Sequence, residues 1–478
     1  MSIEILLIVI VLLVGFYMAW NIGANDVSNA MGTSVGSGAL TLTKAVFIAG
    51  ILEFAGAYFL GSNVSETMQK GIVNPSVFSG DPNIFLYGML SALLATAIWL
   101  QIASYFGWPV STTHAIVGAI LGFGVLIGGV HSVKWSIVGS IALSWILSPA
   151  LSALISFFIF SILQRKILYA MNPIAATKRL IPLLIFLVFF TFSLMILSDS
   201  IRNVQMNLSS LNIFFLSLLI AGTTSLCSMI LIRTLSVDES RAQVPSLRYS
   251  QQAVSLNRAA KHLDRVRLSA SKETRPLVSR LLDEVKGLAS QLKTQAESNP
   301  HTSDYRVVER MFSFLQIISA CFVAFAHGAN DVANAIGPVA AIMDVVRHKQ
   351  VALNTQIPTW LLAFGGFGIV VGLATWGWRV IETIGKKITE LTPTRGFSAE
   401  FGAATTILLA SKLGLPVSTT HCIVGAVLGV GLARGISALN IRMLRDIALS
   451  WVITIPSAAL VCILLFHLIK VIFTPLLA

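Results

Sequence analysis

The chain has 478 residues, 55% of them hydrophobic and only 11% charged, with a mean hydropathy of +0.81. A soluble protein carries about 25% charged residues, which excludes a water-soluble chain and indicates an integral membrane protein. The net charge of +12 does not point to nucleic acid, because the basic residues are spread over loops between apolar runs, as in the cytoplasmic bias of Lys and Arg in membrane proteins.

A spanning helix needs about 20 mostly apolar residues. The first such run, 3–24, resembles a signal-peptide core but lacks a basic flank and leads directly into a polar motif, so we expect a retained first span. Further runs lie at 45–67, 84–106, 113–130 and 137–163. A basic loop follows, with Arg165, Lys166, Lys178 and Arg179. Runs at 182–198 and 212–232 precede a polar stretch, 233–310, and five more runs lie at 311–329, 359–384, 400–413, 417–433 and 446–472. The expectation is an all-α integral membrane protein with about 12 transmembrane or re-entrant segments. Cys227, Cys321, Cys422 and Cys462 all lie in apolar segments without CxxC spacing, so neither a disulfide framework nor a zinc site is indicated.

Two motifs each occur twice. Asn25-Asp26-Val27-Ser28-Asn29-Ala30 returns as Asn330-Asp331-Val332-Ala333-Asn334-Ala335, and Pro109-Val110-Ser111-Thr112-Thr113-His114 returns as Pro416-Val417-Ser418-Thr419-Thr420-His421. Val64-Ser65-Glu66-Thr67-Met68 pairs with Val380-Ile381-Glu382-Thr383-Ile384, and Ala142-Leu143-Ser144-Trp145 with Ala448-Leu449-Ser450-Trp451. We therefore divide the chain into a first transmembrane repeat (1–163), two linking helices (164–232), a helical insertion (233–310) and a second repeat (311–478).

Seven spans precede the second repeat, an odd number, so it enters the membrane from the opposite face. That is an inverted-topology repeat, the pattern of many secondary transporters. The stretch 233–310 holds 14 Lys and Arg against 9 Asp and Glu, which places it in the cytoplasm and both termini outside. Loops 385–399 and 434–445 agree; Arg347 and Lys349 disagree. Residues Leu256, Ala260 and Leu263, then Leu277, Leu281, Val285, Leu288 and Leu292, recur at helical spacing on either side of Pro276, which reads as a helical hairpin.

Each Gly-x-Pro before Ser-Thr-Thr breaks a helix, and the triplet can cap a new one. Whether the flanking segments cross fully or meet as a re-entrant hairpin is left open by length. A restarting helix presents free N–H groups and the positive end of its dipole, and the hydroxyls of Ser111, Thr112, Thr113, Ser418, Thr419 and Thr420 add donors: an anion site. An ionisable residue in a span costs about 2.5–3.5 kcal/mol on insertion scales, so the duplicated Asp26 and Asp331, with Asn29 and Asn334, read as a site for a hard cation such as Na⁺, or for a proton. Gly23, Gly32, Gly328 and Gly337 are expected to let the backbone leave the helix there and expose carbonyls. No Lys or Arg lies near either motif. An oxyanion beside two aspartates would meet repulsion of about 4 kcal/mol per pair at 4 Å and an effective dielectric of 20; bound cations reverse that sign. Glu53, Glu66, Glu382, Gln101 and His327, which replaces Ile22 in the second motif, are candidates for coupling or gating, and Glu400 opens the tenth run. A Ser–His hydrolase lacks an oxyanion motif and an Asp partner, so an enzyme is not expected.

At these motifs the chain resembles the inorganic phosphate transporter (PiT) family of secondary carriers, over both repeats. The resemblance implies import of inorganic phosphate with Na⁺ or H⁺, alternating access, no resident cofactor and a homodimer in the plasma (inner) membrane. It puts Asn25 and Asn330 with the six hydroxyls at phosphate, and Asp26, Asn29, Asp331 and Asn334 at Na⁺. Gly32-Thr33-Ser34-Val35-Gly36-Ser37-Gly38 and Ser65-Glu66-Thr67 resemble the sodium-coupled branch. Some relatives carry sulfate. A channel and a nutrient sensor acting through 233–310 are the readings from other classes.

Overall fold

Lipid offers no hydrogen-bond partner to the backbone, so apolar runs of this length satisfy it internally as helices. The computed structural model accordingly is helical almost throughout the residues it describes, 3–108, 110–203, 209–234, 246–271, 273–298, 303–351, 356–377, 391–435 and 441–477. Fifteen α-helices are present among them. The first motif copies lie on α1 (Ile3–Gly36), α2 (Leu42–Leu60), α3 (Ser62–Lys70), α4 (Pro82–Phe106), α5 (Thr112–Gly128) and α6 (Trp135–Leu163). Then come α7 (Pro173–Asn203), α8 (Ser210–Thr234), α9 (Ser246–Ser269) and α10 (Arg275–Ser298). The second copies lie on α11 (Ser303–His348), α12 (Thr359–Trp376), α13 (Pro393–Lys412), α14 (Thr419–Arg434) and α15 (Ile441–Leu477).

Nine described helices are long and apolar enough to cross a membrane: α1, α2, α4, α6, α7, α8, α11, α12 and α15. Helices α5 and α14 have 17 and 16 residues. At 1.5 Å per residue they reach about 25 Å, short of the roughly 30 Å hydrocarbon core, which favours the re-entrant alternative. The run 45–67 is divided at Gly61 into α2 and α3. Glu382, Lys386 and Lys387 lie outside the described residues, as does Pro109.

Two units are distinguished by their contacts. One comprises Leu163–Leu183 and Ser225–Met311. In it α9 and α10 pack along each other, and Pro276 falls in the first turn of α10, where a missing N–H costs nothing. The other comprises Met1–Ile162, Leu184–Thr224 and Phe312–Ala478 and holds both copies of each motif.

Within this unit the copies are interleaved: α1 and α2 pack on α12, and α15 packs on α4 and α5. The glycines flanking the Asn-Asp motifs do not break a helix, contrary to the expectation from sequence. Helix α1 runs unbroken to Gly36 and α11 to His348. Their purpose is close approach. A Cβ on Gly23 would overlap the Ile369 carbonyl and one on Gly328 the Glu53 carbonyl; Gly372 meets Trp20 and Gly56 meets Phe325 in the same way. These four contacts form two matched pairs, α1 on α12 and α11 on α2. In lipid such close packing and interhelical hydrogen bonds drive association, since apolar burial contributes little between helices. The core beside it is aromatic: Phe123 lies between Phe78, at 5.2 Å, and Phe466, at 5.6 Å.

Candidate substrate and cation site

Helix α4 ends at Gly107 and α13 at Gly414, each at φ +66°, a left-handed conformation that only glycine takes freely. Helices α5 and α14 then start with Ser111 and Ser418 as N-caps, both in extended conformation. The Ser111 hydroxyl oxygen accepts from the His114 N–H at 3.1 Å, and Ser418 from the His421 N–H at 3.2 Å. Capping uses one acceptor position of each serine and leaves its proton free to donate. The first-turn amides of Thr112, Thr113, Thr419 and Thr420 have no carbonyl one turn behind them. The expectation of a helix restart at both triplets is met.

Asn25, Asp26 and Asn29 share one face of α1, and Asn330, Asp331 and Asn334 the equivalent face of α11. All six are at most 2% exposed. Asp26 Oδ1 accepts from Asn25 and Asn29, both at 3.0 Å. Asp331 Oδ2 accepts from Thr419 Oγ1 at 2.8 Å, and Asp26 Oδ1 lies 3.4 Å from the Thr420 hydroxyl. The ties then cross between copies. Asn29 Nδ2 donates to Thr420 Oγ1 at 2.9 Å and Asn334 Nδ2 to Thr113 Oγ1 at 3.3 Å. Thr113 donates to the Val417 carbonyl at 3.0 Å and Thr420 to the Val110 carbonyl at 3.3 Å. Asn25 reaches the Val110 carbonyl at 3.1 Å, and Asn330 reaches Ser411 at 3.0 Å and the Leu415 carbonyl at 3.3 Å. Reciprocal contacts of this kind are what a two-fold relation between the copies produces.

The His327 contacts break the two-fold. His327 Nε2 lies 2.9 Å from Asp331 Oδ2 and Nδ1 lies 3.2 Å from Glu53 Oε1, all three side chains fully buried. By the matched glycine contacts, the mates of His327 and Glu53 are Ile22 and Ile369. Asp26, His327 and Asp331 bring ligand atoms within 4.8 Å of one another, a spacing that could hold a metal ion. Two carboxylates at that distance repel by about 3.5 kcal/mol at an effective dielectric of 20. Asp26 Oδ2, Asn330 Oδ1 and Asn334 Oδ1 are buried and accept no hydrogen bond. Carboxylate and amide oxygens of this sort suit a hard cation.

A further buried carboxylate, Glu400 on α13, meets donors on α1 and α11. Glu400 accepts from Thr33 at 2.6 Å, Ser34 at 2.7 Å and Gln316 at 3.1 Å, and from Ser319 through its other oxygen. Sequence reasoning noticed Glu400 but missed these four donors. The available signal was helical spacing: Thr33 lies seven residues after Asp26, and Gln316 and Ser319 lie eleven and eight before His327. No hydrogen bond joins Gln101 or Glu66, both half-buried, to either cluster among the described residues.

His114 and His421 turn away from the aspartates and meet each other, ring centroids 4.4 Å apart. Each packs on the tryptophan of its own copy, His421 stacked on Trp451 and His114 tilted against Trp145, and each Nδ1 lies 3.4 Å from the other copy's tryptophan carbonyl. Pro149 lacks the N–H that would otherwise bond the Trp145 carbonyl. These histidines pack the two copies together.

The model of the phosphate transporter family matches residues 22–462, which include both copies of both motifs. This chain belongs to the phosphate transporter family. Among similar family members, a Chlamydia pneumoniae protein assigned as a phosphate permease is 46% identical over 471 residues, 98% of this chain and 99% of that one. The Arabidopsis thaliana chloroplastic inorganic phosphate transporter 2-1 is 44% identical over 455 residues, 95% of this chain and 70% of that one. A solved structure described as the sodium-dependent phosphate transporter superposes with a TM-score of 0.79 at 36% identity, covering 98% of this chain and 99% of the other. The resemblance read from the motifs therefore extends over the whole family fold: an all-helical membrane protein with a transport role.

Proposed function

We propose that this family member is a secondary active symporter that imports inorganic phosphate together with Na⁺ by alternating access. One observation carries the reading. Two buried aspartates with ligand atoms within 4.8 Å, and no lysine or arginine among the residues that bond them, lie against two capped helix starts. The helix starts attract an anion and the carboxylates repel it. Na⁺ held by Asp26, Asn29, Asp331 and Asn334 removes the repulsion, so phosphate settles on Ser111, Thr112, Thr113, Ser418, Thr419, Thr420, Asn25 and Asn330 only with the cation present. Each solute then binds well only beside the other, which is the thermodynamic basis of symport. The reciprocal contacts between copies support an inverted repeat whose two halves rock about this site. The charge distribution supports a cytoplasmic 233–310 and outward termini, and the family resemblance supports a homodimer in the plasma (inner) membrane.

A second reading, proton coupling, is favoured by His327 between Glu53 and Asp331. Uptake of labelled phosphate into proteoliposomes separates the two. Symport with Na⁺ requires uptake to follow an inward Na⁺ gradient. Uptake that ignores Na⁺ and follows a proton gradient transfers the assignment to H⁺, and sulfate outcompeting phosphate overturns the substrate.

A further inference from the structure

A cavity of about 590 Å³ lies between α6 and α13, lined by Leu147, Ser148, Leu151, Thr406, Leu413 and Leu415 among others. It opens at a rim of exposed leucines, so in a bilayer hydrocarbon has access to it. Its wall includes the end of the link that leads into Ser418. The Val417 carbonyl on that link holds Thr113, and the Leu415 carbonyl holds Asn330. The cavity therefore lies directly behind one half of the site.

Its origin is legible in the repeat. At the offset that aligns Pro109 with Pro416, Thr406, Leu413 and Leu415 correspond to Trp99, Phe106 and Trp108. In the first copy Trp99 packs on the core, and Phe106 and Trp108 stack at 5.0 Å. The second copy lacks all three rings.

The lining specifies what can fill the space. It contains no charged side chain. Of its hydroxyls, Ser144 donates to the Ile141 carbonyl and Thr406 to the Gly402 carbonyl. Ser148, 5% exposed, has no nitrogen or oxygen partner, only the weak thiol of Cys422 beside it. Leu147, Leu154, Leu409 and Leu413 at the rim are 38–65% exposed, which in a membrane protein means contact with hydrocarbon. A free fatty acid would bring a carboxylate that nothing here could pair.

We propose that the cavity is a binding site for one acyl chain of a bilayer phospholipid. The chain fills, beside Thr406, the space that the Trp99 indole fills at the equivalent place of the first copy. This holds whichever ion drives transport.

The test reconstitutes the full chain in phosphatidylcholine vesicles doped with phosphatidylcholine carrying a diazirine on one acyl chain, and maps photo-adducts by mass spectrometry. Adducts should concentrate on Leu147–Leu154 and Thr406–Leu415, several-fold above those on α8 around Leu219, which is 62% exposed. Thr406→Trp and Leu415→Trp, which restore first-copy residues, should lower labelling to the α8 level. Labelling of the wild type no higher than α8 reads as ordinary surrounding lipid and overturns the proposal. So does labelling that both tryptophan variants leave unchanged, or a face left unlabelled because a second copy covers it. The wild-type comparison stands even where a variant misfolds.

Discussion

His327 meets Glu53 at 3.2 Å at a place where the two-fold mates, Ile22 and Ile369, present only methyl groups. The two copies thus share a scaffold and differ in charge at their centre. Removing one member of a buried ionic pair typically costs 3–5 kcal/mol, because the partner's charge is stranded. His327→Ala should lower the melting temperature of the detergent-solubilised protein markedly, and the double variant with Glu53→Gln should recover part of it. A double variant that is simply additive would show that the two side chains do not interact.

Asp26→Asn and Asp331→Asn each remove one carboxylate from the close pair. Na⁺-driven uptake should fall at least 100-fold. Phosphate binding measured in K⁺ buffer without Na⁺ should improve at the same time, because the repulsion of about 3.5 kcal/mol between them and the anion's like-charge penalty are both reduced. Wild-type Na⁺ dependence in either variant removes that residue from the coupling mechanism.

Thr113 and Thr420 tie each copy to the other. A hydrogen bond of this kind is worth about 1 kcal/mol, so Thr113→Val or Thr420→Val should raise the KM for phosphate about 5- to 20-fold. The serine variants should stay near wild type. Equal losses in the valine and serine variants would point to packing of the methyl group as the decisive contact.

Glu400 accepts from donors on α1 and α11. Glu400→Gln exchanges half of that acceptor for a donor and should reduce uptake at least 10-fold, while phosphate binding at equilibrium, read by scintillation proximity, changes less than 3-fold. Equal loss of binding would make Glu400 part of the site itself.

Gly328→Ala places a Cβ against the Glu53 carbonyl. Overpacking costs typically 1–3 kcal/mol, and the helices α2 and α11 must separate to relieve it, which draws Glu53 from His327. Lower thermal stability together with lost uptake is expected; the alanine at Gly287, where nothing lies within 4 Å, should be silent.

The apolar runs, the duplicated motifs and the six hydroxyls were legible in the chain because each is a local pattern: length, repetition, and a Pro followed by capping residues. The pairing of copies could be anticipated from that repetition, and the restart of α5 and α14 from the Ser-Thr-Thr triplets. What the glycines do could not. A glycine in a helix reads the same whether it ends the helix or admits a neighbour, and only the α1–α12 and α11–α2 crossings decide for the neighbour.

Likewise the sequence by itself determined that Asp26 and Asp331 lie in membrane-buried segments, and that His327 and Glu53 have no polar counterparts. It did not determine that these two meet, since they lie on different helices hundreds of positions apart in one long chain, or that Glu400 collects four donors. Contacts between helices depend on crossing angle and approach distance, which packing of the whole set fixes. The tertiary structure alone supplied the join between the aspartate pair, the capped helix starts and the His327–Glu53 contact.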